Sequence, residues 1–355
     1  MSLKILITGA AGYIGGSVVA ALLSRQSATI SPKNLFAVAR TEEQVRSLSS
    51  LGVNVLQFDL HEEQAVTEAV VRNEIDIVVH TASSIDPSLA VNLINALGKR
   101  RVITGKDTYY IHSSVTTGYS KEGGWPYGTV KDTDSVYKLE KELDDEFPIR
   151  KVNVSLVEQA KAQGVTSFII GVPFVYGTGT GQWKKLSQNI PASVKASIAL
   201  KSVYKFDEDS NFALVHISDL ADYYVLFVEK ILQGEKLPSG ENGYYFAVAH
   251  EASWYEVTQS LADALYGRGL VTESKVKIWP SDDMAAESLD LPRQYVRLMH
   301  TARVTINYQD GYPLGWQPSW NKQKLLASMD EEIAATLAHD KGKTSLFDAL
   351  KTVKE

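Results

Sequence analysis

The run TGAAGYIGG, residues 8–16, closes the apolar stretch LKILIT (3–8) and opens GYIGGSVVAALLSR (12–25). Gly9, Gly12 and Gly15 stand three residues apart, between a buried strand and a helix. In a strand–turn–helix each has a physical task. The first makes the tight turn, the second lets a diphosphate approach the backbone, and the third lets the helix lie close on the strand. The anion then sits on the helix N-terminus, where amides lacking intrahelical partners face it. Three spaced glycines alone are a weak pattern, met by chance in roughly one chain in ten of this length, and a turn needed only for packing looks the same. Position after the first strand of an alternating series is what strengthens the pattern.

That alternation continues along the chain. NLFAVAR (34–40), VNVLQFD (53–59), IDIVVHTA (75–82), TYYIHSS (108–114) and VTSFIIGV (165–172) read as strands. Helical patterns separate them: TEEQVRSLSS with Thr41 as N-cap, EEQAVTEAVVR, LAVNLINALGKR and KVNVSLVEQAKAQG (151–164). Strands joined by crossover helices predict an α/β fold, a doubly wound parallel sheet of about seven strands. The expected division is a dinucleotide-binding domain over 1–175, a substrate lobe beginning at 176–211, a return to the first domain over 212–249, and the rest of the lobe over 250–340. Residues 341–355 read as a charged tail. FALVHISDLADYYVLFVEKIL (212–232) reads as a strand running into a helix, GYYFAVA (243–249) as a last strand, and KQKLLASMDEEIAATLA as one C-terminal helix.

Bulk composition narrows the function. The 355 residues are 44% hydrophobic and 22% charged with a net charge of -6, which disfavours a nucleic-acid partner. The chain has no cysteine, so disulfides, thiolate metal sites and thiol nucleophiles are excluded, and the cytoplasm is the expected compartment. Glycines break the N-terminal apolar run, which therefore reads as fold and not as a leader. No window reads as a membrane span. No two histidines stand at metal-ligand spacing with a carboxylate, and no metal is expected. His80 and His112, at strand ends, read as core residues.

The end of the second strand selects the cofactor. An acid there grips a ribose 2′-hydroxyl, as for NAD, whereas a cation accommodates a 2′-phosphate. The strand ends AVAR, with Arg40 in place and no acid before Glu42. The expected cofactor is NADP.

With TGAAGYIGG, the chain carries FDL after the third strand, VVHTAS after the fourth, YIHSSVTTG at the fifth, VPFVYGTGTG after the sixth, and LVHISDLA, in that order over about 3–225. Together they resemble the extended short-chain dehydrogenase/reductase superfamily of the NAD(P)-dependent epimerase/dehydratase type, and GWQP (315–318) resembles its C-terminal region. The resemblance implies a Rossmann domain with a smaller, mostly C-terminal substrate lobe. It implies that Gly9, Gly12, Tyr13, Ile14 and Gly15 cradle the diphosphate and that Asp59 and Leu60 lie beside the adenine. Thr81, Ala82 and Ser83 would line the inner ribose, Pro173 and Phe174 would bracket the nicotinamide, and Ser114 would bond the substrate oxygen. Ser114 could equally satisfy only strand-end backbone groups.

The family's tyrosine acid and its lysine stand four residues apart on one helix face. Of 17 tyrosines, only Tyr127 and Tyr137 precede a lysine at that spacing, Lys131 and Lys141, and about one such pair arises by chance. Tyr137, 23 residues beyond Ser114, is the better candidate. Counting back from the sixth strand gives another register. Glu158 resembles a glutamate that the family carries four residues after the lysine, which puts Val154 in the lysine slot and Arg150 in the tyrosine slot. Pro148 separates the two segments. Both registers stand open at this level.

The expectation is an NADP-dependent oxidoreductase acting on a carbonyl or alcohol of a small hydrophobic metabolite, of the kind handled in secondary metabolism. The alternatives are a non-redox isomerase, dehydratase or cyclase, and a non-catalytic NADP-binding sensor. A homodimer through helices near 86–99 and 151–163 is expected from the resemblance. The apolar set Val152, Val154, Leu156, Val157 and Ala160 is too wide for one stripe. An insertion over it would give a monomer instead.

Overall fold

The computed structural model describes residues 3–25, 30–143, 147–308 and 314–339. The tail expected at 341–355 lies outside the described residues. The chain opens with β1 (Lys4–Thr8), α1 (Tyr13–Ser24), β2 (Leu35–Ala39), α2 (Glu42–Ser49), β3 (Asn54–Gln57), α3 (Glu63–Arg72), β4 (Ile75–His80), α4 (Pro87–Thr104) and β5 (Tyr109–Val115). There follow α5 (Val136–Leu143), α6 (Pro148–Gln163), β6 (Thr166–Val172), β7 (Phe174–Tyr176), α7 (Asn189–Leu200), β8 (Tyr204–Lys205), β9 (Asn211–His216), α8 (Ile217–Leu232) and β10 (Tyr244–Phe246). The described part ends with β11 (His250–Ser253), α9 (Trp254–Gly267), β12 (Lys277–Ile278), α10 (Asp282–Leu289), α11 (Arg293–Thr301), α12 (Lys322–Ala327) and α13 (Met329–His339).

Seven strands form one parallel sheet in the order β10-β6-β5-β4-β1-β2-β3. The order reverses between β1 and β4, which opens a crevice at their carboxyl ends. One face carries α1 and α8 over Ile5, Ile7, Ile77, Val79 and Ile111; the other carries α3, α4 and α6 over Leu6, Val78, Tyr110 and Ile169. β1 and β4 are buried on both faces, which is why they read as unbroken apolar runs.

Local chemistry sets the helix ends. Thr41 and Gln44 close a capping box on α2. Asp86 caps α4, Pro87 occupies its first turn, and Gly105 ends it at φ 67°. Pro148 likewise starts α6, so this helix begins three residues earlier than its apolar pattern indicates. The predicted C-terminal helix is broken at Ser328 into α12 and α13. β9, read from sequence as a strand of the chain's return, leaves the central sheet and pairs with β7 and antiparallel with β11.

α5 is the element that sequence periodicity did not place. It lies against α6 and the 3₁₀ turn Gly240–Asn242, with Val136 and Tyr137 in the α4–α6 core. Val152, Leu156, Val157 and Ala160 of α6 are all buried and Val154 half-buried. The wide apolar set of α6 is thus covered largely from within the chain.

Candidate active site

The glycine turn is built by close approach. Gly9 has φ 71°, and a Cβ on it would fall 2.7 Å from the Thr81 carbonyl oxygen. The Gly12 amide donates to the Gly9 carbonyl at 2.7 Å, closing the turn. A Cβ on Gly15 would lie 2.3 Å from that carbonyl oxygen and 2.4 Å from Thr81 Oγ1. Thr81 Oγ1 donates to the Thr8 carbonyl at 2.7 Å, which locks the ends of β1 and β4 together. α1 starts at Gly12 without a capping side chain and has no acid in its first turn. Its first amides have no intrahelical acceptor. This is a cradle for a diphosphate, and the residues present fit one.

The Tyr13 side chain turns toward the loop after β7. Its hydroxyl donates to the Gly177 carbonyl at 2.7 Å, so only its backbone faces the cradle side. Glu332 of α13 accepts the Gly177 amide at 2.6 Å. Gly179 and Gly181 lie on α1: a Cβ on Gly181 would meet Gly16 Cα at 2.8 Å, and one on Gly179 would meet the Tyr13 ring at 2.9 Å. The second and third glycines of YGTGTG therefore serve this packing.

At the other end of the crevice, Arg40 is exposed. Its backbone is fixed, the amide donating to Gln44 Oε1 at 2.9 Å and the carbonyl accepting from Gln57 at 3.3 Å. Asp59 Oδ1 accepts the His61 backbone amide at 3.0 Å and lies 2.9 Å from His61 Nδ1. The His61 amide and then its ring hold the Asp59 carboxyl below its usual range. Leu60 accepts Asn92 Nδ2 at its carbonyl, 3.0 Å away. Ser83 Oγ accepts the amides of Ile85 and Asp86 at 3.3 and 3.2 Å, which shapes the loop after β4. Sequence reasoning passed over His61 and Asp86, although DLHEE and DPSL, a helix-start signal, both carry hints.

The crevice is closed where β5 ends. Ser114 is fully buried and its Oγ has no hydrogen-bond partner among the described residues. Its register partner on β6 is Gly171, and Gly171 in turn pairs with Phe246. A Cβ on Gly171 would lie 2.6 Å from the Phe246 ring, so that ring lies over the glycine. Tyr119 packs edge-on against Phe246 at 5.4 Å. Pro173 is buried, and the Phe174 ring packs on Phe212 and Trp254 at 5.4 and 5.1 Å.

Tyr137 and Lys141 are held elsewhere. The Tyr137 hydroxyl donates to Glu158 Oε1 at 3.3 Å, and Lys141 Nζ donates to the same oxygen at 2.7 Å. Glu158 lies ten residues along α6 from Pro148, about 15 Å from the end that adjoins the carboxyl edge of the sheet. One turn further on, Lys161 pairs with Glu241 at 2.9 Å, in the turn that leads into the amino end of β10. Tyr137 and Lys141, expected to join Ser114, meet Glu158 instead and fasten α5 to α6. In the other register, Arg150 is buried and donates to the carbonyls of Gly118 and, at 2.8 Å, Gly123. It pins the loop after β5. No group of three or more His, Asp or Glu among the described residues is arranged to hold a metal ion. Among those residues, no helix is long and apolar enough to cross a membrane.

Residues 5–238 match the model of the NAD dependent epimerase/dehydratase family. The chain belongs to that family. Its members are nicotinamide-nucleotide enzymes of the short-chain dehydrogenase/reductase type, which agrees with the seven-stranded sheet and the glycine cradle. An uncharacterized protein of Saccharomyces cerevisiae is 23% identical over 251 residues, covering 69% of this chain and 77% of that protein. The Thermotoga maritima UDP-glucose 4-epimerase, solved with UDP-glucose, superposes with TM-score 0.64 at 16% identity, over 94% of this chain and 100% of its own. The Bacillus anthracis dTDP-glucose 4,6-dehydratase, solved with NAD, gives TM-score 0.64 at 14% identity, over 96% and 98%. At such identities the solved structures establish the shared fold.

Proposed function

We propose that the chain is an NADP(H)-dependent oxidoreductase acting on a carbonyl or alcohol of a small hydrophobic metabolite. One observation carries the reading: a glycine turn pressed onto β1, an uncapped helix behind it, and Arg40 exposed at the end of β2. Gly9, Gly12, Gly15 and the amides of Tyr13 and Ile14 hold the diphosphate, and Arg40 takes the 2′-phosphate. Asp59 and Leu60 flank the adenine, Thr81, Ala82 and Ser83 the inner ribose, and Pro173 and Phe174 the nicotinamide. The dehydratase relative is a complex with NAD; Arg40 is the reason for assigning NADP here. A cysteine-free chain with this cofactor is assigned to the cytoplasm.

When bound, the cofactor supplies or accepts hydride at nicotinamide C4. Ser114, at the carboxyl end of β5, holds the substrate oxygen once Phe246 and Tyr119 give way to a ligand. The proton is not handled by a tyrosine–lysine pair. The guanidinium of Arg150 is spent on the carbonyls of Gly118 and Gly123, and valine at 154 has no proton to give. A substrate hydroxyl or a water bonded to Ser114 takes that part.

The complete burial of Ser114 favours a second reading, a cofactor-binding sensor or a non-redox enzyme on the same fold. Nicotinamide absorbance during incubation with a panel of carbonyl compounds separates the two. Steady NADPH consumption that Ser114→Ala suppresses supports the oxidoreductase. Tight NADPH binding without any consumption supports the second reading.

A further inference from the structure

His61, on the loop after β3, touches two carboxylates at once. Its Nδ1 lies 2.9 Å from Asp59 Oδ1 and its Nε2 lies 3.0 Å from Asp86 Oδ2. Asp86 is itself fixed as the cap of α4, accepting the Ser88 amide at 3.0 Å and the Ser88 hydroxyl at 2.6 Å. Asn92 of α4 reaches back to the Leu60 and His61 carbonyls at 3.0 and 3.2 Å. The loop after β3 is thereby tied to the start of α4, and these are the two segments that flank the adenosine end of the crevice.

A neutral imidazole donates from one nitrogen only, whereas the cation donates from both. With a carboxylate on each nitrogen, the cation alone satisfies both contacts. The hydrogen bonds that the ring donates to Asp59 and then Asp86 accordingly raise the His61 pKa. Burial works against the Asp86 carboxyl, but its bonds to Ser88 and His61 hold it low.

We propose that His61 is a positioning residue of the cofactor site, a cationic clasp that holds the adenosine wall and cancels two carboxylates facing an anionic nucleotide. This rests on the cofactor reading above. The charged groups bearing on the ring are Asp59 and Asp86, while Arg40 bears on Asp59 from the end of β2. Glu62 and Glu63 follow in the chain, Glu63 lying 3.9 Å from Lys99 of α4. Loss of the His61 proton removes a positive charge from between two carboxylates beside the nucleotide, so affinity rises as pH falls through the His61 titration.

Fluorescence titration with NADPH and with NADH, from pH 5.5 to 8.5 at low ionic strength, tests the clasp. The parent protein should bind NADH about threefold to tenfold more tightly at the acid end, the size expected of one exposed charge, and added salt should shrink the effect. NADH lacks the 2′-phosphate, whose own titration near pH 6 tilts the NADPH curve in every variant. His61→Gln should be flat with NADH and weak throughout. His61→Arg, permanently charged, should be flat and tight, a rescue that a merely structural histidine would not show. Asp86→Asn, which removes one arm of the clasp, serves if thermal melts show His61→Gln to be unfolded, and it should lower the pH dependence. Matching profiles in parent and His61→Gln, with both binding, overturn the clasp and leave the cofactor reading intact. No saturable binding of either nucleotide to the parent overturns both.

Discussion

Tyr137 gives its hydroxyl hydrogen to Glu158, and Lys141 reaches the same carboxylate oxygen at 2.7 Å. A four-residue tyrosine–lysine spacing thus serves to fasten a helix. Tyr137→Phe should leave turnover and NADPH affinity within about twofold and cost about 1 kcal/mol of stability, the net worth of one hydrogen bond. Lys141→Met should likewise spare turnover. Steady-state rates and denaturant midpoints check both. A fall of roughly 10²–10⁴ in turnover for Tyr137→Phe, the range for a lost general acid, would return the pair to catalysis.

Arg40 stands exposed where an NAD-specific site carries an acid. NADPH should bind at least about ten times more tightly than NADH, a difference of about 1.4 kcal/mol. Arg40→Asp should erase or invert that ratio with little change in melting temperature, because among the described residues the hydrogen bonds of Arg40 are made by its backbone. Equal affinities in the parent protein would refute the assignment.

Gly15 and Gly267 make a matched pair of glycine-to-alanine tests. The Gly15 Cβ would enter a space already held by the Gly9 carbonyl and Thr81 Oγ1 at 2.3 and 2.4 Å, both on rigid strand ends. Gly15→Ala should cost about 3 kcal/mol and abolish nucleotide binding, since α1 must back away from β1. Gly267, the last residue of α9, has nothing within 4 Å of its Cβ position. Gly267→Ala should be neutral or slightly stabilising. Thermal melts and NADPH titration distinguish these outcomes.

The sheet was legible because β1, β4 and their neighbours are buried on both faces and their helices alternate with them, a pattern local enough to survive without contacts. The glycine cradle was legible for the same reason. What escaped was pairing at a distance. The apolar residues of α6 say that both its sides are covered, but not that α5 supplies the outer cover. His61 and Asp86 are 25 residues apart, and neither looks functional until the loop after β3 meets the start of α4. Tyr137 misled because spacing records which residues share a helix face and nothing about what that face meets.

The expected homodimer is assigned here to the face that α5 leaves open. Val102 and Ile103, at the end of α4, are 85% and 66% exposed and border a groove of about 700 Å³ that Val71 and Gln163 also line. With the outer side of α6 taken, a homodimer should form through this groove. Light scattering at micromolar concentration should give a dimer for the parent protein and a monomer for Val102→Glu combined with Ile103→Glu, with stability unchanged because both side chains are exposed. A monomeric parent would mean that α5 has replaced the partner subunit altogether.

Glu140 of α5 makes stability depend on pH in an unusual direction. It is 2% exposed and accepts the Tyr119 hydroxyl at 2.9 Å, Asn153 Nδ2 at 2.8 Å and the Tyr244 hydroxyl at 2.6 Å. Burial outweighs these bonds and pushes its carboxyl up to about 7 from an ordinary 4.5. Burial pushes Glu332 up to about 7 as well, against the bond from the Gly177 amide. In both cases the folded chain holds the proton more tightly than the unfolded one. Their contribution to stability is therefore full below about pH 4.5 and is lost as pH rises through 7. Glu140→Gln keeps the shape, its oxygen accepting from Tyr119 and Asn153 while its amide donates to Tyr244. Relative to the parent, that variant should gain stability between pH 5 and 8, on the order of 2 kcal/mol at the alkaline end. The Glu332 share should remain in it. Glu140→Ala instead strands three buried donors; its cost should be about 3 kcal/mol at the acid end and should shrink as pH rises through 7, because it too lacks the titrating carboxyl. Denaturant midpoints measured at half-unit pH steps separate these cases. An unchanged slope in Glu140→Gln would show that this carboxyl is ionised throughout the range, and that its three hydrogen bonds outweigh its burial.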